Sequence, residues 1–327
     1  MKKLVLIASI FLALTASTFA AKKTDKKDDK LKVVTTIFPQ YDWTREIMGD
    51  KASSAQLTLL VGNGVDLHSY QPSIQDIAKI STADIFIYVG GESDGWVADA
   101  LKNATNKNMK VINLMEVLGD KVKAEEIKEG MQAEEEEHED HDHDEDEEVE
   151  YDEHVWLSLR NAKILSAEIT AALCEKDAAN AAVYKANYTA YAAKLDTLDK
   201  DYKSTVASAS KKTILFGDRF PFRYLTDDYG LDYYAAFVGC YAETEASFET
   251  VVFLSKKVDE LGLNSVLKIE SGDGKIARTI VQNTKNKTAK VLSLDSIQST
   301  TLKQANAGTT YLKIMEDNLK VLTEALN

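Results

Sequence analysis

From Ser158 to about Ala209 the chain contains neither proline nor glycine, and alanine, leucine, lysine and tyrosine dominate. A run of that length without a breaker sustains helix, and nothing else in the sequence restricts the fold as much. Ile164, Ile169 and Leu173, then Tyr184, Tyr188, Tyr191, Leu195 and Leu198, recur at steps of three, four and five. That is helical periodicity. The stretch reads as one or two long helices, with a break near Asp177-Ala178-Ala179-Asn180. Such an element is stiff and can run as a strut between two lobes.

On both sides of it the pattern is strand, then helix. Lys32 to Ile37 is a β-branched run followed by a helical pattern from Gln40 to Met48. Ser54 to Leu60, Ile85 to Val89 and Lys110 to Leu114 read as further strands. Ser73, with Asp76 three residues later, marks a helix start. Beyond the helical stretch the alternation resumes with strands at Thr213 to Phe216, Asp232 to Phe237, Ser265 to Ile269 and Lys290 to Leu294. Helices are expected at Phe220 to Tyr229, Ser247 to Leu261, Lys275 to Lys285 and Thr310 to Leu326. Strands alternating with helices at this spacing form parallel sheets covered on both faces. The expected fold class is therefore α/β, with two βα lobes of mainly parallel sheet joined by a long rigid helix. Residues 22–158 form the first lobe, 159–209 the linking helix and 210–327 the second lobe. Ligands of open α/β sheets bind beyond the carboxyl ends of the strands, so the cleft between the lobes is the expected site.

The amino-terminal residues point outside the cell. Met1-Lys2-Lys3, an apolar run from Leu4 to Ala16, and small residues up to Ala21 read as a secretory signal over 1–21, cut after Ala20 or Ala21. No cysteine lies near the cut, so the expected product is a soluble periplasmic protein without a lipid anchor. Cys174 and Cys240 are the only cysteines, far apart in sequence, and pairing and freedom both remain open.

Charge is concentrated in one place. Between Ala133 and Trp156 lie fifteen acidic residues and four of the chain's five histidines, His138, His141, His143 and His154. The formal net charge is -14, so with those fifteen acids set aside the remainder sits near +1. A nearly neutral body without a basic stripe gives nucleic acid no support as a partner. The loop over 133–150 has almost no apolar residues and is expected to be mobile and solvated. Its histidines, His138, His141 and His143, are of the kind that capture metal loosely. His154 differs, because Val155, Trp156 and Leu157 follow it. It is expected at the rim of a folded domain.

Elsewhere, His68 stands in a loop of the first lobe, and two such histidines beside a His-acid tract favour metal ligation. The second lobe has no histidine. It places Asp218 and Arg219 after one apolar strand and Glu270 after another, where a carboxylate points into the cleft. Glu270 read alone could equally cap a helix or face solvent.

These residues sit in blocks that resemble a known family. VVTTIFPQYDWTREIMGD, DLHSYQPSIQDIAKISTADIFIYVGG, the acidic-histidine loop before DEHVWLSLRNAKILSAEI, CEKDAANAAVYKANYTAY and KIESGDGKIARTIVQ are similar to the zinc/manganese substrate-binding proteins of bacterial ABC importers, the cluster 9 metal-binding family. The resemblance implies two βα lobes joined by a backbone helix with one metal between them. It puts ligands at His68, His154 and Glu270. At the remaining ligand position this chain departs, because strict alignment places Arg219 there and a guanidinium cannot ligate a cation. The neighbouring Asp218 is the expected substitute, with water or a loop histidine as alternatives. Two imidazoles with carboxylates suit Zn2+ better than Mn2+, which prefers more oxygen ligands. The expected partners are a membrane permease and its ATPase, the expected state is a monomer, and no enzymatic activity is implied. The alternatives are a manganese-binding member of the same family, an exported metal buffer, and a metallohydrolase using an open coordination position.

Overall fold

The structure, a computed structural model, describes residues 30–132, 149–240 and 245–327. The expected signal over 1–21 and the loop histidines His138, His141 and His143 lie outside the described residues.

The first sheet is built from β1 (Lys32–Thr35), β2 (Gln56–Leu59), β3 (Ile85–Tyr88) and β4 (Lys110–Asn113), all parallel, in the order β2-β1-β3-β4. Helices α1 (Phe38–Met48), α2 (Ile74–Ser81), α3 (Val97–Lys102) and α4 (Leu114–Leu118) alternate with the strands. Ser73 and Asp76 form the expected capping box at the start of α2. The strand β3 shows why the run Ile-Phe-Ile is apolar throughout. Ile85 and Ile87 enter the main core, while Phe86 packs on the other face with Val34, Ile80 and Val97.

The glycine-free stretch forms α5 (Leu159–Lys176) and α6 (Ala181–Ser208), separated at Asp177–Asn180 by a short 3₁₀ turn. The side chain of Asp177 holds the break by accepting from Asn180 Nδ2 at 2.7 Å and from the Tyr184 hydroxyl at 2.6 Å. The second sheet follows as β5 (Thr213–Phe220), β6 (Asp232–Val238), β7 (Ser265–Ile269) and β8 (Lys290–Leu294), again parallel, in the order β6-β5-β7-β8. Its helices are α7 (Arg223–Tyr229), α8 (Phe248–Leu261), α9 (Lys275–Asn283), α10 (Leu302–Asn306) and α11 (Tyr311–Ala325). The sequence reading did not anticipate α4 and α10, which are each about one helical turn. The strand β5 also runs further than expected, so Asp218 and Arg219 lie within it, across a register shift between Phe216 and Arg219. Gly217 permits this, because a Cβ there would lie 2.4 Å from the Cα of Ala277 in α9.

The two sheets share one core. Ile85 and Ile87 of the first sheet, Leu165 of α5, Leu195 and Tyr202 of α6, and Leu267 and Ile269 of the second sheet belong to a single buried cluster. The helix α6 packs against α5 and α1 and also against α7 and α11. A separate cluster, including Leu215, Val266, Leu254 and Ile280, fills the far face of the second sheet. The lobes are also tied by the segments flanking the acidic loop. The Gln132 backbone N–H donates to Ala236 O of β6 at 2.9 Å, and Tyr224 donates its hydroxyl proton to Asp152 O at 2.7 Å.

Candidate metal centre

In both sheets the chain leaves one strand to its left-hand and right-hand neighbours in turn, which opens a crevice at the carboxyl ends. A cavity of about 470 Å³ lies there, lined by Asp66 and His68 from the first lobe and by Asp218, Arg219 and Ile269 from the second.

His68 sits in a 3₁₀ turn, Leu67–Ser69, that follows β2. Asp66 caps the turn by accepting from the His68 backbone N–H at 3.1 Å, and buried Leu67 anchors it. The ring Nδ1 is 2.7 Å from Ser93 Oγ and 3.6 Å from a carboxylate oxygen of Glu153. His154 caps the turn Val155–Leu157 and is fully buried, not at the rim. The difference arises because Trp156 is drawn into the second lobe, donating its indole N–H to Ser296 O at 2.9 Å while its carbonyl accepts from the Tyr311 hydroxyl at 2.6 Å. Asp152 Oδ1 accepts from the His154 backbone N–H at 2.8 Å and from ring Nδ1 at 3.0 Å.

With each Nδ1 committed to an outer partner, each imidazole turns its Nε2 inward. The two Nε2 atoms face each other at 3.2 Å. Burial, followed by the nearby His154, pushes the pKa of His68 down to about 3, so its ring is neutral at ordinary pH. A neutral ring is the form that binds a metal.

Cys240 completes the group. One ligand atom from each of His68, His154 and Cys240 lies within 4.8 Å of the others. The backbone arrives there through Gly239, which packs on the imidazole: a Cβ on it would lie 3.1 Å from His154 Cε1 and 2.9 Å from Phe220 O. Burial, then the Glu125 and Asp152 carboxylates, push the Cys240 thiol far up. A coordinated metal reverses that, since a ligating thiol is deprotonated outright. Both cysteines are free.

The two carboxylates expected as ligands lie outside this group. Asp218 accepts from the backbone N–H of Arg219 at 2.9 Å and of Ile269 at 3.2 Å, and burial raises its pKa. Glu270 accepts from Ser296 N at 2.7 Å and from the hydroxyls of Ser296 and Ser299 at 3.0 and 2.8 Å. Arg219 forms an ion pair with Asp66. Although burial acts against it, the Arg219 guanidinium, helped by the hydrogen bond from the His68 backbone N–H, holds Asp66 below the usual carboxylate range. With its amide nitrogen facing Asp66, Gln298 donates to both carboxylate oxygens at 2.9 and 3.3 Å. Sequence reasoning missed Cys240, Asp152, Ser93 and Gln298. Cys240 had a usable signal, because Gly239-Cys240 follows an apolar strand just as Glu270 does.

The fold and this cleft define a two-lobed α/β protein with side chains of metal-ligating type gathered between its lobes. The chain belongs to the family described as zinc-uptake complex component A, periplasmic, which it matches over residues 33–325. It is 32% identical over 325 residues to the high-affinity zinc uptake system protein ZnuA of Bacillus subtilis, covering 99% of this chain and 97% of that one. It is 29% identical over 325 residues to the zinc-binding protein AdcA of Streptococcus pyogenes serotype M3, covering 98% of this chain but 61% of AdcA. The chain thus spans about three-fifths of the AdcA relatives that it matches. Among solved structures, the Zn(II)-bound ZnuA-like domain of Streptococcus pneumoniae AdcA aligns with a TM-score of 0.68 at 28% identity, over 91% of this chain and 99% of that domain. The metal-dependent lipoprotein YcdH of Bacillus subtilis aligns with a TM-score of 0.70 at 28% identity, over 91% and 99%.

Proposed function

We propose that this protein is the substrate-binding component of an ABC importer. It takes up zinc as cargo outside the inner membrane and delivers it to a permease driven by an ATPase. The observation that carries this reading is the separation of the two Nε2 atoms, 3.2 Å. Two nitrogens bonded at about 2.0–2.1 Å to a tetrahedral zinc stand about 3.3 Å apart. The names of the B. subtilis and streptococcal relatives support zinc as the ion. So does the donor chemistry, since imidazole binds zinc more strongly than manganese. His68 and His154 are the ligands on which the proposal rests. Asp218 and Glu270 would join them by turning a lone pair toward the ion, which a carboxylate that accepts hydrogen bonds can still do. His138, His141 and His143 of the acidic loop would add weaker, separate equivalents.

Native mass spectrometry with elemental analysis tests the reading. One tight zinc per chain is expected, lost in His68→Ala and in His154→Ala but kept when residues 134–150 are deleted. Stoichiometric tight binding that survives in either histidine variant overturns it. A metallohydrolase would instead turn over ester or phosphoester substrates when loaded with zinc.

A further inference from the structure

We infer that Cys240 is the third protein ligand to the cargo ion, bound as a thiolate, so that the site is of a His-His-Cys type. The inference rests on the reading of His68 and His154 as zinc ligands and extends it to the second lobe. Three observations carry it. The ligand atoms of His68, His154 and Cys240 are already gathered within 4.8 Å of one another. A nitrogen and a sulfur on one tetrahedral zinc, with bonds of about 2.05 and 2.3 Å, stand about 3.6 Å apart, so a closure of at most about 1.2 Å suffices. A side-chain rotation can supply it.

The second observation is the placement of the backbone. Gly239 lets the chain after β6 lie directly on the His154 ring, where a Cβ would meet Phe220 O at 2.9 Å. The following residue is thereby fixed beside the imidazole pair. Third, among the described residues no second-lobe carboxylate joins the group within 4.8 Å: Asp218 faces two backbone N–H groups instead, and Glu270 faces Ser296 and Ser299.

When the ion binds, the zinc–sulfur bond forms and the S–H bond breaks. The proton leaves through Glu125, whose carboxylate already accepts from the Cys240 backbone N–H at 3.2 Å, and from there to solvent. The thiolate removes one of the ion's two positive charges while both imidazoles stay neutral. A soft sulfur donor also moves selectivity further from manganese than oxygen ligands would.

Cobalt(II), which takes up zinc sites and reports its ligands by absorption, is the direct probe. The cobalt-loaded full chain should show a sulfur-to-cobalt charge-transfer band in the near ultraviolet. Cys240→Ser should lose that band and bind zinc at least about tenfold more weakly, because loss of even an outer-shell partner costs that much. Cys174→Ser should keep both. As a check that needs no variant, zinc should protect Cys240 of the wild-type protein from alkylation by iodoacetamide. A band that persists in Cys240→Ser overturns the inference. So does tight zinc binding by wild type, lost in His68→Ala, with no band and no protection. In that second case the cargo reading stands. Failure of wild type to bind zinc at all overturns the cargo reading, and the inference with it.

Discussion

Asp152 allows the charge behind a ligand to be separated from the geometry that charge supports. Its side chain is 4% exposed, and one oxygen, Oδ1, receives both the His154 backbone N–H at 2.8 Å and ring Nδ1 at 3.0 Å. An asparagine side chain would retain an acceptor oxygen there, so Asp152→Asn keeps the ring's orientation and removes only the negative charge that makes Nε2 a stronger donor. Outer-shell partners of this kind are worth about 10–100-fold in metal affinity, or roughly 1.4–2.7 kcal/mol. Asp152→Ala removes the acceptor as well, leaving two buried N–H groups unsatisfied at about 1–3 kcal/mol each. Competition against a chromophoric zinc chelator measures the first effect, and thermal melting of the metal-free protein measures the second. Asp152→Asn should bind zinc about 10–100-fold more weakly with a nearly unchanged melting temperature, whereas Asp152→Ala should lower both. If Asp152→Asn binds zinc within about threefold of wild type, or about 0.7 kcal/mol, the charge has no role and the reasoning fails.

Asp94 should make stability depend on pH. Burial raises its pKa to about 7, against an ordinary 3.8, although its Oδ2 accepts from Val89 N at 2.8 Å and Gly90 N at 3.0 Å. The folded protein therefore holds a proton across that window that the unfolded chain has released, and stability should fall as pH rises from about 4 to 7, by at most about 1.4 kcal/mol per unit. Urea midpoints for Asp94→Asn should flatten this part of the profile, and an unchanged slope would refute the assignment. Gly217→Ala should destabilise by about 1–3 kcal/mol or more, because the new Cβ meets backbone atoms of α9 that cannot rotate away. A chemical denaturation midpoint indistinguishable from wild type would show that α9 yields freely.

The alternation of strands and helices is legible in the sequence because parallel strands buried on both faces are apolar runs, and glycine or polar clusters punctuate them. Ile85-Phe86-Ile87 shows this directly, since each of its side chains has a covered face to enter. The helix break is legible too, because Asp177 and Asn180 compete for the backbone in the way that ends helices. His68 and His154 are distinguishable by type and context alone. The burial of His154 is not, because it depends on Ser296 and Tyr311, more than a hundred residues away in the chain. The continuation of β5 through Asp218 is equally hidden, since it depends on how closely α9 approaches Gly217. Cys240 is a case of a signal passed over. Two cysteines in an exported chain fit pairing as well as ligation, and only the place of Cys240 at the end of an apolar strand separates the two.

The shared core has a kinetic consequence. A binding protein whose lobes are separate packed bodies can release cargo by swinging them apart about a linker. Here Leu165, Leu195 and Tyr202 lie in the same buried cluster as residues of both sheets, and hydrogen bonds from Gln132 to Ala236 and from Tyr224 to Asp152 bridge the lobes. Opening the cleft by a hinge would expose that cluster to water, and the lost burial grows with every side chain uncovered. An ion held between such lobes would leave by exchange of one ligand at a time, with the acceptor's donors replacing the protein's from the accessible, His68 side of the cleft. The dissociation rate would then depend on the concentration of competing ligand, as in associative substitution at a metal complex, and not on a conformational equilibrium of the protein.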